Sequence, residues 1–250
     1  NRMESLMLRQ PGNTLVERLT AFVSLTASYY ELASKVVSQL KIDNADEYIR
    51  QYSESFYQLD TLYRRALEKY YLLSTEGLEI ADALTLAKRR LDADYHEFIG
   101  VMGMEWSDTV KNEGKEWHFE TLLTRQENFY TDHVKDFSAR QMIIVSDALR
   151  YEVAREMLGE MFKRSKQKHE MHMVGMLPSE TKFSKVSLLP HSKMTLTADG
   201  TSLDDGPILE DIKSRESHVQ KYNPESRCFN FSDLQNDSNT NREKLKGDKL

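Results

Sequence analysis

One segment of the chain predicts the class of its fold: Arg140-Gln141-Met142-Ile143-Ile144-Val145-Ser146-Asp147-Ala148-Leu149-Arg150-Tyr151-Glu152. Its first half contains four consecutive apolar residues, 142–145, without the polar alternation of a half-exposed strand. A short continuous apolar run is typical of a strand that is covered on both faces in a parallel sheet. We therefore predict a buried central strand at 142–145, in a domain that alternates strands and helices.

The residues that follow this run predict where a ligand site lies. From Val153 to Phe162 apolar residues recur at helical spacing, so a helix begins soon after the strand ends. Asp147 then lies at the carboxyl end of the strand, the edge at which ligands bind in open α/β sheets. An aspartate at this place can ligate a metal, hold a ribose hydroxyl or cap the helix. Position alone favours the helix cap.

Composition limits the possible functions of the chain. It has 250 residues, of which 30% are charged and 39% hydrophobic, enough for one large domain or two modest ones. The net charge of −6 argues against a chain built mainly to coat nucleic acid. Cys228 is the single cysteine, which favours a reducing, cytoplasmic location. No apolar run is long enough to cross a bilayer, so we expect no membrane contact.

The chain changes character near residue 138. Residues 1–138 carry apolar and aromatic residues at helical spacing, which predicts a helical bundle or interaction region. We place its helices at 15–40, 48–70, 78–98 and 117–134, with Asp43-Asn44 capping the second. Residues 139–250 are predicted as the α/β region, with further strands at 171–177 and 228–231 and a hairpin near 194–197. The first and last residues also lead us to expect a piece of a longer protein.

A loop after the second predicted strand is another candidate for chemistry. Residues 177–191 begin with Leu177-Pro178 and carry the hydroxyls of Ser179 and Thr181 together with Lys182 and Lys185. Because the carboxyl ends of parallel strands meet at one edge of a sheet, we expect these hydroxyls near Asp147. The two lysines would neutralise a substrate phosphate, although lysines on a loop are more often simply solvated. The sequence contains no phosphate-binding loop, dinucleotide glycine triplet, Cys-x-x-Cys or His-Glu-x-x-His.

Four groups of residues occur in an order and spacing that resembles a known family. They are Phe129-Tyr130 with His133-Val134-Lys135, the run Ile144 to Glu152, Met176-Leu177-Pro178-Ser179-x-Thr181, and Leu188-Leu189-Pro190-His191. Together they resemble the PglZ family of bacterial BREX phage-defence systems, whose catalytic domain belongs to the alkaline-phosphatase superfamily. The resemblance covers 129–250 well and the helical half only in character.

The resemblance implies a fold and a chemistry. Residues 139–250 would form the first part of an alkaline-phosphatase-like domain, a mostly parallel sheet flanked by helices, truncated at its carboxyl end. The full-length protein would be a metal-dependent phosphatase or nuclease, with zinc the expected metal. Asp147 would be a metal ligand, and Thr181 would be the nucleophile and a second ligand. Other BREX components, including a methyltransferase, and nucleic acid are the implied partners.

Three hypotheses for the function stay open. The chain is a fragment of an enzyme, inactive alone because later metal ligands are missing and therefore without tightly bound metal. Alternatively it is a scaffold of a defence complex, or a nucleotide-binding domain in which Asp147 holds a ribose. A pure scaffold has no need of a hydroxyl opposite Asp147. Ser179 is the rival nucleophile. Thr181 is favoured because it occupies the threonine position of the Pro-x-x-Thr pattern.

Overall fold

The computed structural model describes residues 14–73, 79–112, 124–163 and 170–236. In chain order their elements are α1 (Thr14–Val37), α2 (Ala45–Gln51), a π-helical turn (Tyr52–Phe56), α3 (Tyr57–Tyr71), α4 (Ala81–Asn112), β1 (Thr124–Arg125), a 3-10 turn (Gln126–Asn128), α5 (Phe129–His133), α6 (Tyr151–Phe162), β2 (Met173–Val174), α7 (Thr181–Ser184), a second 3-10 turn (Lys185–Leu188), β3 (Met194–Leu196), β4 (Thr201–Leu203), α8 (Ile212–Val219) and α9 (Phe231–Asn236).

The chain folds into two compact units. The first comprises Asn1–His118 and Leu149–Lys168, and the second comprises Phe119–Ala148 and His169–Leu250. This division differs from the predicted boundary between residues 138 and 139, because α6 packs with the helices of the first unit. The sequence domains 1–138 and 139–250 stay a prediction.

The first unit is helical, as the spacing of its apolar residues predicts. Asn44 caps α2 by accepting a hydrogen bond from the Glu47 amide at 2.9 Å, which confirms the predicted helix start. The predicted end of the third helix near Gly100 is wrong, since α4 continues to Asn112. The core consists of buried apolar residues of the helices and of the π-helical turn, among them Phe22, Tyr29, Val36, Phe56, Leu59, Leu91 and Phe98.

α6 joins this unit through charged and aromatic contacts with α3 and the π-helical turn. Arg64 lies 3.7 Å from the buried carboxylate of Glu152 and also pairs with Glu156. The Tyr151 ring packs against Tyr52 and Tyr57, with centroids 5.7 and 5.4 Å apart. The helix that follows Asp147 is therefore held by the first unit.

In its described residues, the second unit contains two small sheets. β1 and β2 are parallel, with Thr124 opposite Met173, and β3 and β4 form an antiparallel hairpin. The hairpin near 194–197 is thus confirmed, and the strand predicted at 171–177 is confirmed for Met173–Val174. The helix predicted at 117–134 is wrong where the structure describes it, apart from α5, because residues 124–125 form a strand; residues 117–123 lie outside the described ranges. The strand predicted at 228–231 is also wrong.

The predicted central strand at 142–145 does not form. These residues have no regular secondary structure, and Met142 and Ile144 are 71% and 81% exposed. A central strand needs hydrogen-bonded neighbours along both edges and cover on both faces. Among the described residues β1 and β2 pair with each other, and no strand pairs with 142–145. The mostly parallel sheet is therefore not confirmed. Where the structure describes the chain, parallel pairing is limited to two residues of each strand.

None of the helices in the described ranges combines the length and the apolar character that a bilayer span requires.

Candidate functional site

The structure brings two predicted site residues into direct contact. The Thr181 hydroxyl donates a hydrogen bond to the Asp147 carboxylate, with Oγ1 3.1 Å from Oδ2 and 3.4 Å from Oδ1. Both residues are exposed, so a substrate can reach them. The expectation that a hydroxyl of the 177–191 loop lies near Asp147 is confirmed, although the sheet edge expected to carry them is not formed.

Thr181 is the first residue of α7, a single helical turn that its neighbours hold in place. The Phe183 ring and Val186 are buried, and they anchor the turn to the second unit. The Thr201 hydroxyl, fully buried on β4, donates to the Phe183 carbonyl at 2.8 Å. Two apolar anchors and one buried hydrogen bond therefore fix an exposed hydroxyl, an arrangement that suits a reactive group on a rigid support.

Asp147 lies in a turn and does not cap a helix. The N-cap of α6 is Arg150, and its amides receive no side-chain cap. Helix capping, the role that position alone favoured, is therefore wrong. The next residue, Ala148, has φ of 54°, in the left-handed region, which costs a residue with a Cβ about 1–2 kcal/mol. Such outliers cluster at functional sites, where surrounding contacts hold the backbone.

The two predicted phosphate lysines occupy different places. Lys185 Nζ lies 3.6 Å from Asp147 Oδ2, and both side chains are partly exposed. Lys182 Nζ instead lies over the Phe183 ring, 4.6 Å from its centroid, and donates to the Ala198 carbonyl at 3.4 Å. Lys185 therefore belongs to the candidate site, whereas the structure directs Lys182 away from it.

The rival residue, Ser179, contacts this turn through its backbone. Its carbonyl accepts a hydrogen bond from the Ser184 hydroxyl at 3.3 Å. The hydrogen bonds that reach the Asp147 carboxylate from this loop come from Thr181. This geometry favours Thr181 over Ser179 as the reactive group.

The contact offers part of a metal site. A carboxylate and a hydroxyl are oxygen donors that suit a divalent cation. In the ranges that the structure describes, however, no group of three or more His, Cys, Asp or Glu side chains converges to hold an ion. Asp147 and Thr181 therefore offer two oxygen ligands to a metal ion, which is fewer than a complete site needs.

Gln126 is a residue near the site that the sequence analysis missed. Its side-chain amide donates to the Ser184 carbonyl at 2.7 Å and accepts from the Met176 amide at 3.3 Å. It lies in a segment that was predicted to be helical, and a glutamine carries no motif of its own. Only the three-dimensional structure places it against the turn that carries Thr181.

Comparison with known proteins shows which family the carboxyl-terminal part of the chain resembles. Residues 129–249 match the model of the BREX system PglZ alkaline phosphatase-like domain. The resemblance to the PglZ family is confirmed. This part of the chain is a PglZ-like domain of a BREX-associated, alkaline-phosphatase-like class, and it contains Asp147, Thr181 and Lys185.

Two curated PglZ relatives extend the comparison beyond that domain. The chain is 25% identical over 223 residues to "Alkaline phosphatase-like protein PglZ" of Bacillus cereus (strain H3081.97), which covers 87% of the chain and 25% of the relative. It is 26% identical over 181 residues to "Alkaline phosphatase-like protein BrxZ" of Escherichia coli O9:H4 (strain HS). This match covers 68% of the chain and 21% of the relative. The chain thus spans about a quarter of the length of these relatives. No solved structure matches it.

Proposed function

We propose that Asp147 and Thr181 form part of the active site of a metal-dependent hydrolase of phosphate esters in the longer protein. The observation that carries this proposal is the 3.1 Å hydrogen bond from the Thr181 hydroxyl to the Asp147 carboxylate. It joins a nucleophile to an acidic group on an exposed surface of a PglZ-like domain. A scaffold has no need of this contact, so it supports an enzyme over a non-catalytic module.

The residues present account for the first step of such a reaction. Thr181 Oγ1 attacks phosphorus in line with the leaving group, so that an O–P bond forms as the bond to the leaving alcohol breaks. The hydroxyl proton leaves along the hydrogen bond to the Asp147 carboxylate. That proton passes to the leaving alkoxide. Water then hydrolyses the phosphothreonine and restores the hydroxyl, which releases phosphate from a monoester substrate or a phosphate monoester from a diester such as bis-p-nitrophenyl phosphate. Lys185, next to Asp147, would neutralise a phosphate oxygen of the substrate.

Asp147 and Thr181 would hold a divalent metal, for which we propose zinc. When bound, the metal would lower the pKa of the hydroxyl and stabilise charge on the phosphate. Because the described residues supply two of the ligands that such an ion needs, we propose that the others come from the rest of the longer protein. The 250-residue chain alone should bind zinc weakly and should not hydrolyse bis-p-nitrophenyl phosphate.

The partners follow from the family and not from a contact in the structure. A BREX-associated domain acts within a multicomponent system. We propose that other BREX components, a methyltransferase among them, bind the longer protein, and that nucleic acid is a candidate substrate.

Substitution of the loop hydroxyls in the longer protein tests the proposal. Thr181→Ala should lower kcat for bis-p-nitrophenyl phosphate by several orders of magnitude, because the nucleophile is lost. Thr181→Ser should keep part of the activity, since the attacking atom survives. Ser179→Ala is the matched control and should cost far less. Full activity of Thr181→Ala, with Ser179→Ala inactive, would reverse the assignment.

A further inference from the structure

Gln126 connects the end of β2 to the turn that carries Thr181. Its Oε1 accepts from the Met176 amide, two residues after Val174 ends the strand, and its Nε2 donates to the Ser184 carbonyl at the last residue of α7. An amide N–H can only donate and a carbonyl can only accept, so the two partners fix which end of the glutamine side chain faces each of them. The side chain is therefore held in one orientation.

These two hydrogen bonds, which we call the Gln126 clamp, lie close to the candidate nucleophile. α7 runs from Thr181 to Ser184, a separation of about one helical turn, roughly 5 Å along the axis. A shift at the Ser184 carbonyl therefore passes directly to the Thr181 hydroxyl. The contact with Asp147 is sensitive to such a shift, since its oxygen–oxygen distances are already 3.1 and 3.4 Å.

We infer that Gln126 is a positioning residue for Thr181. It holds α7 so that the hydroxyl stays within hydrogen-bond distance of Asp147, and it does so from outside the 129–249 segment that matches the family domain. The inference rests on the proposed function for its catalytic consequence. Its structural part, the clamp itself, is independent of that function.

The chain offers a matched control for this glutamine. Gln220 lies in the same unit, is also partly buried, and donates to the Ser226 carbonyl at 3.0 Å. Its hydrogen bonds go to Glu216 and Ser226, so they reach neither α7 nor Asp147. Gln126→Leu and Gln220→Leu each remove two side-chain hydrogen bonds, one of which is donated to a backbone carbonyl. A general loss of stability should therefore affect both variants alike.

Steady-state kinetics in the longer protein measure the effect on catalysis. With bis-p-nitrophenyl phosphate as the probe, Gln126→Leu should lower kcat about ten- to a hundredfold with little change in KM, because small misplacements of a reacting group cost that much. Gln220→Leu should leave kcat within about twofold of the parent protein, on the same reasoning. Equal kcat values for the two variants would overturn the inference.

Hydrogen exchange gives a readout that needs no activity. Gln126→Leu removes the acceptor of the Met176 amide, so exchange at that amide should accelerate, and Gln220→Leu should not change it. Gln126→Glu keeps an acceptor for Met176 but has no hydrogen to donate to Ser184. It should therefore retain protection at Met176 and still show the lowered kcat. Unchanged exchange in Gln126→Leu would show that the clamp is absent.

Thr181→Ala separates the two proposals. If it retains turnover, the proposed function fails, and the catalytic role of Gln126 fails with it. If it loses turnover while Gln126→Leu keeps the parent kcat, only the inference about Gln126 is overturned.

Discussion

Asp147 shows how the function of one residue depends on what faces it. From its position in the sequence, an acidic residue ahead of a helix fits both a metal ligand and a helix cap. In the structure Arg150 occupies the N-cap, and the carboxylate faces Thr181 and Lys185 instead. Its partners lie more than thirty residues away along the chain. Sequence placed them at the same site by analogy with a sheet edge, and not by any local pattern.

Asp147→Asn is the substitution that tests the metal-ligand role. Asparagine keeps an oxygen that accepts from Thr181, but it is a much poorer ligand for a hard or borderline cation. In the longer protein we expect bound metal to fall sharply and Tm without metal to stay nearly constant. Elemental analysis and thermal unfolding measure the two quantities. Asp132→Asn, an exposed aspartate of α5, is the control and should retain its metal. Unchanged metal in Asp147→Asn would end the ligand hypothesis.

Thr201 holds the helical turn that carries Thr181. Its fully buried hydroxyl donates to the Phe183 carbonyl, and valine has the same shape without the donor. Thr201→Val should therefore lower the free energy of unfolding of the second unit by about 1–3 kcal/mol, the cost of a buried acceptor left without its partner. Urea unfolding measures this quantity. Thr195→Val, on the exposed side of β3, should change it by less than about 0.5 kcal/mol. Equal effects would contradict the role given to Thr201.

At the scale of the elements, helices were easier to predict than strands. A helix satisfies its backbone within a short segment, so the spacing of residues such as Phe22, Tyr29 and Val36 carries most of the information. The sequence located α1 and the Asn44 cap in this way. It missed the length of α4 and the π-helical turn at Tyr52–Phe56, because neither leaves a distinct spacing signal.

The predicted central strand failed for a reason that no local pattern contains. Strand pairing is decided by partners distant in the chain, and the apolar run 142–145 stays exposed without them. β1 shows the opposite case, because Thr124–Arg125 pairs with β2 despite lying in a segment that was predicted as helix. The proximity of Asp147 and Thr181 was predicted correctly all the same, whereas the catalytic and metal-binding roles of the two residues stay a prediction.

Ile144→Ala distinguishes the structure from the sequence prediction. In this chain Ile144 is 81% exposed, so its truncation should change the free energy of unfolding by less than about 0.5 kcal/mol. A central buried strand would instead lose about 2–5 kcal/mol. Leu203→Ala, a 2% exposed residue of β4, supplies the positive control within the same unit and should show that larger loss. Urea unfolding of the two variants gives the comparison, and a large loss in Ile144→Ala would restore the predicted strand.

On the scale of the whole molecule, the most recognisable run of the family is divided between the two units. Asp147 belongs to the second unit and contacts Thr181, whereas Arg150 and Glu152 belong to the first. Arg150 Nη2 lies 3.1 Å from the Tyr95 hydroxyl, which in turn donates to the buried Asp60 carboxylate at 2.7 Å. One short motif therefore serves two purposes, part of a candidate site and part of a buried polar network.

Tyr95 and two further tyrosines make the stability of the first unit sensitive to alkali. Burial, with the hydrogen bond to Asp60, raises the pKa of Tyr95 to about 12, and burial also raises the pKa of Tyr48 and of Tyr63 to about 12. An unfolded tyrosine titrates near 10, so the folded state holds these protons more tightly. The stabilisation is complete below pH 10 and is lost as the pH rises from about 10 towards 12. We expect unfolding in this range, together with phenolate absorbance.

Tyr95→Phe isolates the contribution of one of these tyrosines. Near neutral pH the variant should be less stable than the parent chain by about 1–3 kcal/mol, because Asp60 loses a buried donor. Phenylalanine has no proton to lose, so the difference between variant and parent should shrink as the pH rises from about 10 to 12. Urea unfolding at several pH values, followed by circular dichroism, measures this trend. Tyr71→Phe, at an exposed position of α3, is the control and should change the free energy of unfolding near neutral pH by less than about 0.5 kcal/mol. A constant difference for Tyr95→Phe would show that its proton is not linked to folding.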